Sequence, residues 1–543
     1  MQWMLRGLAG ALVASMAVTI AACGGRETSK SGEIRVAVSA FPDSLDPALA
    51  YTGEALQSLW VVYTPLLTYA HAEGAAGARI VPGLARALPT ISADGKTYRL
   101  MLRKGLEYSD GRPVKASDFE HSVKRILNLE SVGTSYFERI AGAGAYLRSG
   151  RARGDISGIE TDDRTGAITI SLDEPYGPFS NVLAMPFGAL VPSDTPFQNQ
   201  TKRPPPGVGA FKLAKVRVNR GYDLVKAPGF DVADMPKAQL DTISIEVVKN
   251  RGRQTQSVTR NDLDYMTDPP ASDQIRAVRD RFEGKRYREF VTNSTYFFFL
   301  NHRLAPFNKK AVRQAVNYAL DERALVRVFG GLLEPGCNFL PPGLAGYKKI
   351  EPCPYGDPDA PPELARARQL VEQAGAEGEE VTVYGTDEPE ARSAAEYFAD
   401  ALSQIGLKAR PRVISSEVYF ATIGNAKTRA QAGFANFFED FPRATNFFSL
   451  VDGASIAAAN STNFGNVDDP QINATLARAD RNPSAEAVAK DYAAVDRRLL
   501  DEAHLVPYGN RKLSVFFSDR IDFDDCTAWH PVYNLDYTSL CLK

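Results

Sequence analysis

Cysteine, histidine and tryptophan are scarce in this chain of 543 residues, at five, five and three. The histidines stand at positions 71, 121, 302, 504 and 530, too scattered to suggest a multi-histidine metal centre. No C-x-x-C pair, G-x-S-x-G elbow or H-E-x-x-H pair occurs, so zinc-binding and nucleophile-elbow signatures are missing. Neither sign of charge dominates: 63 Lys and Arg face 65 Asp and Glu, which argues against a nucleic-acid binder held by a basic face. What is present is ordinary globular composition, 44% hydrophobic and 24% charged, which excludes a disordered or fibrous chain. At roughly 150 residues per domain the length supplies three to four domains' worth of chain.

One apolar run stands out, from Gly7 to Ala22 after Arg6. At about 16 residues it is short of the roughly 20 needed to span a bilayer, and it reads as a secretory signal peptide over residues 1–22. It ends in Ile20-Ala21-Ala22-Cys23-Gly24, which resembles the bacterial lipoprotein cleavage motif and makes Cys23 the expected lipidated residue. A polar tether over residues 23–30 follows. The expected location is therefore outside the cytoplasm, lipid-anchored to the cell membrane and facing the periplasm or the extracellular side. The remaining cysteines form an even set suited to an oxidising compartment. Cys337 and Cys353 flank a Pro-Gly turn, and Cys526 and Cys541 lie near the C-terminus. Local pairing into two disulfides is the expectation, each closing a short loop worth about 3 kcal/mol in the chain-entropy model.

Along the chain, Ile34–Val38, residues 97–103, Ile168–Leu172, Phe211–Val225 and Ile243–Val248 alternate as strands. Arg203-Pro204-Pro205-Pro206-Gly207 is a candidate crossing between lobes. Beyond residue 301 helices and strands alternate. A helix follows Asn308, and another lies between Pro361-Pro362 and Gly375. Strand 380–384, helix 388–405 and strand 408–413 make one β-α-β unit, implying parallel strands. Several chemical motifs are incomplete. Gly95-Lys96-Thr97 lacks the glycine five residues earlier, where Thr90 stands. Asp501-Glu502-Ala503-His504 spells an acidic box with no phosphate loop to serve, and Gly207-Val208-Gly209 is half a dinucleotide fingerprint ahead of a strand. Asp524-Asp525 reads as solvated turn. Nothing argues for catalysis or for a cofactor.

The stretch Ser92-Ala93-Asp94-Gly95-Lys96-Thr97-Tyr98-Arg99-Leu100, continuing through Tyr108-Ser109-Asp110-Gly111-Arg112-Pro113-Val114 to Phe119, resembles the signature of the extracellular solute-binding proteins, family 5. Ser44-Leu45-Asp46-Pro47, Val81-Pro82-Gly83-Leu84-Ala85, Pro306-Phe307-Asn308 with Arg313-Gln314-Ala315, Leu340-Pro341-Pro342-Gly343 and Leu505-Val506-Pro507-Tyr508 extend the likeness along nearly the whole mature chain.

The resemblance implies an α/β, two-lobed periplasmic-binding-protein-like fold with an inter-lobe cleft and an extra subdomain in lobe I. Lobe I would hold residues 31–70, 207–295 and 505–543, the extra subdomain residues 71–206, and lobe II residues 296–504. It implies a non-enzymatic, monomeric receptor of an ABC importer that captures di- or oligopeptides and hands them to permease subunits. A nickel chelate, an oligosaccharide or another small solute on the same fold is the alternative. The family element holding the aspartate that receives a peptide α-amino group corresponds here to Phe437-Phe438-Glu439-Asp440-Phe441-Pro442-Arg443-Ala444-Thr445-Asn446-Phe447. Asp440 falls on that aspartate. Phe438, Phe441, Arg443 and Asn446 are further expected contacts, with Tyr51, Thr52 and Gly53 from the first lobe. The plain alternative for Asp440 is a turn residue ahead of Pro442.

Overall fold

A computed structural model describes residues 32–149 and 154–543. The expected signal peptide, the tether and Cys23 lie outside the described residues. The first strand, Glu33–Val38, shows why the sheet forms where it does. Ile34, Val36 and Val38 enter one core, while Ala37 enters a smaller core on the opposite face. A strand buried on both faces belongs in the interior of a sheet, and this one pairs in parallel with Thr242–Val247 on one side and Tyr265–Met266 on the other.

Twelve strands make one mixed sheet. Its main path runs Lys408–Ile414, Glu380–Thr386, Ala432–Phe438, Ser294–Leu300, Leu505–Phe517, Tyr265–Met266, Glu33–Val38, Thr242–Val247, Gly221–Lys226 and Phe211–Arg217. The expected β-α-β unit is present: Glu380–Thr386 and Lys408–Ile414 pair in parallel across the helix Pro389–Gln404. Proline at the helix start and Gly406, at φ +98°, just past its end delimit that helix. Phe398 from the helix stacks on Phe298 of the strand Ser294–Leu300 at 3.9 Å between ring centroids, and Phe297 on the other face meets Phe339.

Two large cores lie along this sheet. One gathers Ile34 to Tyr265 and returns with Val515 and the C-terminal aromatics. The other runs from Tyr296 to Tyr508. The long strand Leu505–Phe517 belongs to both: Leu505, Val506 and Tyr508 pack in the second core, Val515 and Phe517 in the first. The chain therefore passes between cores inside this strand, several residues beyond position 505. Arg203–Gly207 is not such a crossing. Tyr63 donates its hydroxyl to the Pro205 carbonyl at 2.6 Å, and a Cβ on Gly207 or Gly209 would meet the Val62 carbonyl oxygen at 2.5 Å. The segment has glycines because it lies against the backbone of Val61–Tyr63 within the first core.

A second sheet, Thr90–Ile91, Thr97–Met101, Ala167–Ser171 and Ile159–Asp162, packs with the helix Ser117–Asn128 and shares the first core. It is tied down by Arg125, whose guanidinium donates to both oxygens of Asp46 at 3.0 and 2.7 Å with both side chains buried. Asp46 also accepts from the backbone N–H groups of Ala48 and Gln200. Cys337 is joined to Cys353 and Cys526 to Cys541. Among the described residues no helix is long and apolar enough to cross a membrane.

Candidate ligand cleft

The strand Ala432–Phe438 ends at a loop that passes from one core to the other. Phe434 packs in the second core and Phe441 in the first, where its ring meets Tyr136 edge-on at 5.9 Å. Between these anchors Phe438, Glu439 and Asp440 line a cavity of about 610 Å³. Tyr51, Gly53, Glu54 and Asp268 face them from the first core's side, with Trp529 from the C-terminal segment. Tyr51, Phe420 and Phe438 are large apolar side chains left 37–42% exposed, and all three line this cavity. Trp529 is held by the Phe290 ring stacked on it at 4.4 Å.

Asp440 is at the centre of a network spanning 389 residues of sequence. Its Oδ1 accepts from the Tyr51 hydroxyl at 2.7 Å. Its Oδ2 accepts from the Tyr136 hydroxyl at 2.7 Å and from Asn446 Nδ2 at 3.0 Å. Asn446 Oδ1 in turn accepts the Asp440 backbone N–H at 2.7 Å, which fixes the amide's orientation. Crowding by protein, reinforced by the Asp440 charge, raises the pKa of Tyr51 and of Tyr136, so both remain donors. A carboxylate offers about four lone-pair sites, and three are taken, so Oδ1 keeps one for a ligand donor.

Glu439 differs from its neighbour. Its Oε1 accepts from Asn293 Nδ2 at 2.9 Å, while Oε2 is buried without a hydrogen-bond partner. Burial, with the Asp440 charge adding to it, pushes this carboxyl up to about 8. Glu54 is also raised, by burial and by the charges of Asp268 and Asp43.

The expected contacts divide. Asp440, Phe438, Tyr51 and Gly53 line the cavity. Asn446 acts through Asp440, and Thr52 turns away to donate to Asp43 at 2.9 Å. Phe441 is buried in the first core. Arg443 is corrected from ligand contact to packing residue: it is 2% exposed and donates to the carbonyls of Asn482 and Pro483 and to the Tyr492 hydroxyl. Tyr136, Glu439, Glu54, Asp268 and Trp529 were not anticipated. Glu439 had a signal, its place beside Asp440; Tyr136 had none. The acidic box is structural too, with His504 and Arg498 both contacting Asp469.

A cleft with an anchored carboxylate and aromatic walls between two sheet-linked cores defines a two-lobed solute-binding protein. The family of bacterial extracellular solute-binding proteins, family 5, matches residues 79–458, and the chain belongs to it. The glutathione-binding protein GsiB of Salmonella choleraesuis (strain SC-B67) is 23% identical over 436 residues, covering 78% of this chain and 79% of that protein. The structure of clavulanic acid biosynthesis oligopeptide binding protein 2 superposes with a TM-score of 0.86 at 24% identity, covering 94% of this chain and 95% of that one. The periplasmic binding protein DppA from Helicobacter pylori, in complex with peptide STSA, gives 0.72 at 21% identity, with 94% and 98% covered.

Proposed function

We propose that this chain is the non-catalytic receptor of an ABC importer, and that it captures peptides with a free α-amino group in the cleft and delivers them to a permease. The observation that carries the reading is the Asp440 carboxylate, oriented by Tyr51, Tyr136 and Asn446 at the cavity wall with one lone pair to spare. An α-ammonium is a charge-assisted donor and completes that set, and such a bond is stronger than a neutral one. Family membership, the relatives named for peptide and glutathione binding and the aromatic walls of the cleft support the same reading. The first lobe would hold residues 31–70, 207–295 and the chain beyond the middle of the strand Leu505–Phe517, with 71–206 as its subdomain, and the second would run from 296 into that strand, the two closing over solute by hinge motion.

Calorimetry with free and N-acetylated forms of one peptide tests this. The free form binds the wild type more tightly, and Asp440→Asn removes the difference. Equal affinity for the two forms would replace the peptide reading with another solute class. Anchoring belongs to the same proposal: a diacylated Cys23 supplies two chains, enough for stable attachment. Cys23→Ser should release processed protein into soluble fractions; a wild type that takes up no labelled lipid is not anchored this way.

A further inference from the structure

Four carboxylates, Glu54, Asp268, Glu439 and Asp440, line the cavity, and among the described residues no lysine, arginine or histidine does. Asp440 is served by three donors. Asp268 accepts the Ser39 backbone N–H at 3.0 Å. Glu439 Oε2 is different in kind: among the described residues that line this cavity, it is the one side-chain polar atom both buried and without a hydrogen-bond partner. Such an atom is costly in a protein interior unless a ligand supplies the donor.

We propose that the cleft selects peptides carrying a second cation, a guanidinium or ammonium side chain, and that Glu439 receives it while Asp440 holds the α-ammonium. This rests on the peptide reading and deepens it. Two independent features of the wall point the same way. The charge balance is wholly negative, so an acidic side chain would meet like charge with no counter-ion, and complementarity of this sort sets specificity. The uncharged part of the wall includes the aromatic residues Phe437, Phe438 and Trp529, and aromatic rings are the other chemistry that recognises a cation.

Protonation follows. Glu439 is faced by Asp440, Asn293, Tyr69 and Tyr533, and burial holds its proton to about pH 8. A cationic side chain displaces that proton to solvent, so binding below pH 8 releases a proton that a neutral side chain leaves in place.

The test uses the mature chain and three C-terminally amidated tripeptides, Ala-Arg-Ala, Ala-Gln-Ala and Ala-Glu-Ala, with agmatine as a cation that is not a peptide. Calorimetry at pH 7 in buffers of different ionisation enthalpy reads affinity and proton release together. The expected order is Arg above Gln above Glu, at least tenfold between first and second. A proton is released with Ala-Arg-Ala only, and Glu439→Gln brings the Arg and Gln peptides within about threefold. Equal binding of the Arg and Gln peptides, both needing a free amine, overturns the second-cation site and leaves the Asp440 reading intact. Binding of agmatine and of none of the peptides overturns the peptide reading and keeps Glu439 as a cation receiver. No binding of any probe overturns both. Should Glu439→Gln fail to fold, proton release by the wild type decides: its absence with Ala-Arg-Ala overturns the proposal.

Discussion

Asp46 and Glu439 are both acidic residues withdrawn from bulk solvent, and the protein treats them in opposite ways. Asp46 is closed off: Arg125 grips both oxygens, and two backbone N–H groups fill what remains. Glu439 has one oxygen on an amide and the other on nothing. The first arrangement fastens the helix Ser117–Asn128 to the opening loop; the second leaves an oxygen unpaired. A carboxylate completed by its own chain is architecture. One with a buried, unpaired oxygen beside a cavity is, under the proposal above, the place for an outside donor. Asp440 stands between them, with three donors in place and one site free. The same contrast separates two arginines: Arg125 neutralises a buried charge, whereas Arg443 is spent on backbone carbonyls and a tyrosine hydroxyl.

The sharpest way to break the comparison is to remove one member of the closed pair. Asp46→Asn leaves the Arg125 guanidinium buried without its counter-charge, which should cost about 3–5 kcal/mol of stability. Denaturant unfolding measures the loss, and ligand selectivity of the folded fraction should be unchanged. A selectivity change would mean that Asp46 is not purely architectural.

Asp440→Asn should do the reverse. Affinity for a free-amine peptide falls by about 2–5 kcal/mol if the ion pair is fully enclosed when the lobes close. The ligand-free protein should melt within a few degrees of the wild type, because the asparagine oxygen can take the place of Oδ2 and accept from Tyr136 and Asn446, while its amide nitrogen donates to the Tyr51 hydroxyl oxygen. Thermal scans with and without peptide give both numbers on one sample. A large drop in the ligand-free melting temperature would move Asp440 into the architectural class with Asp46.

Much of the architecture was legible because it is written in local pattern. The β-α-β unit at 380–414 came from alternation, a starting proline and a closing glycine, all within 35 consecutive positions. Asp440 was legible through its family element. Tyr136 was not, since its bond to Asp440 spans 304 residues and depends on how the first core packs around the helix Thr134–Phe137. Arg443 misled for a related reason: a charged residue inside a recognised element reads as a contact, and only packing shows which way it points. The Pro-rich stretch at 203–207 misled because proline marks a break in local structure without saying whether the chain leaves the lobe or folds back on Tyr63.

Glu439→Gln has the smallest expected effect on the ligand-free protein and the most informative sign. The folded state holds the Glu439 proton to about pH 8, above the ordinary glutamate range near 4.5. Unfolding therefore releases a proton between these values. The wild type's stability from this group is fully present below about pH 4.5, declines as pH rises through 8, and is flat beyond. Glutamine cannot ionise, so the variant escapes the decline. It should match the wild type at pH 4.5 and exceed it by roughly 1–2 kcal/mol at pH 9, an order-of-magnitude figure for desolvating one partly screened carboxylate. Saturating Ala-Arg-Ala should cancel the variant's advantage, because the ligand's cation compensates the charge that burial penalises. Parallel urea titrations across that pH range measure the difference. A variant less stable than the wild type at pH 9 would show that Glu439 is already satisfied by its own chain, as Asp46 is.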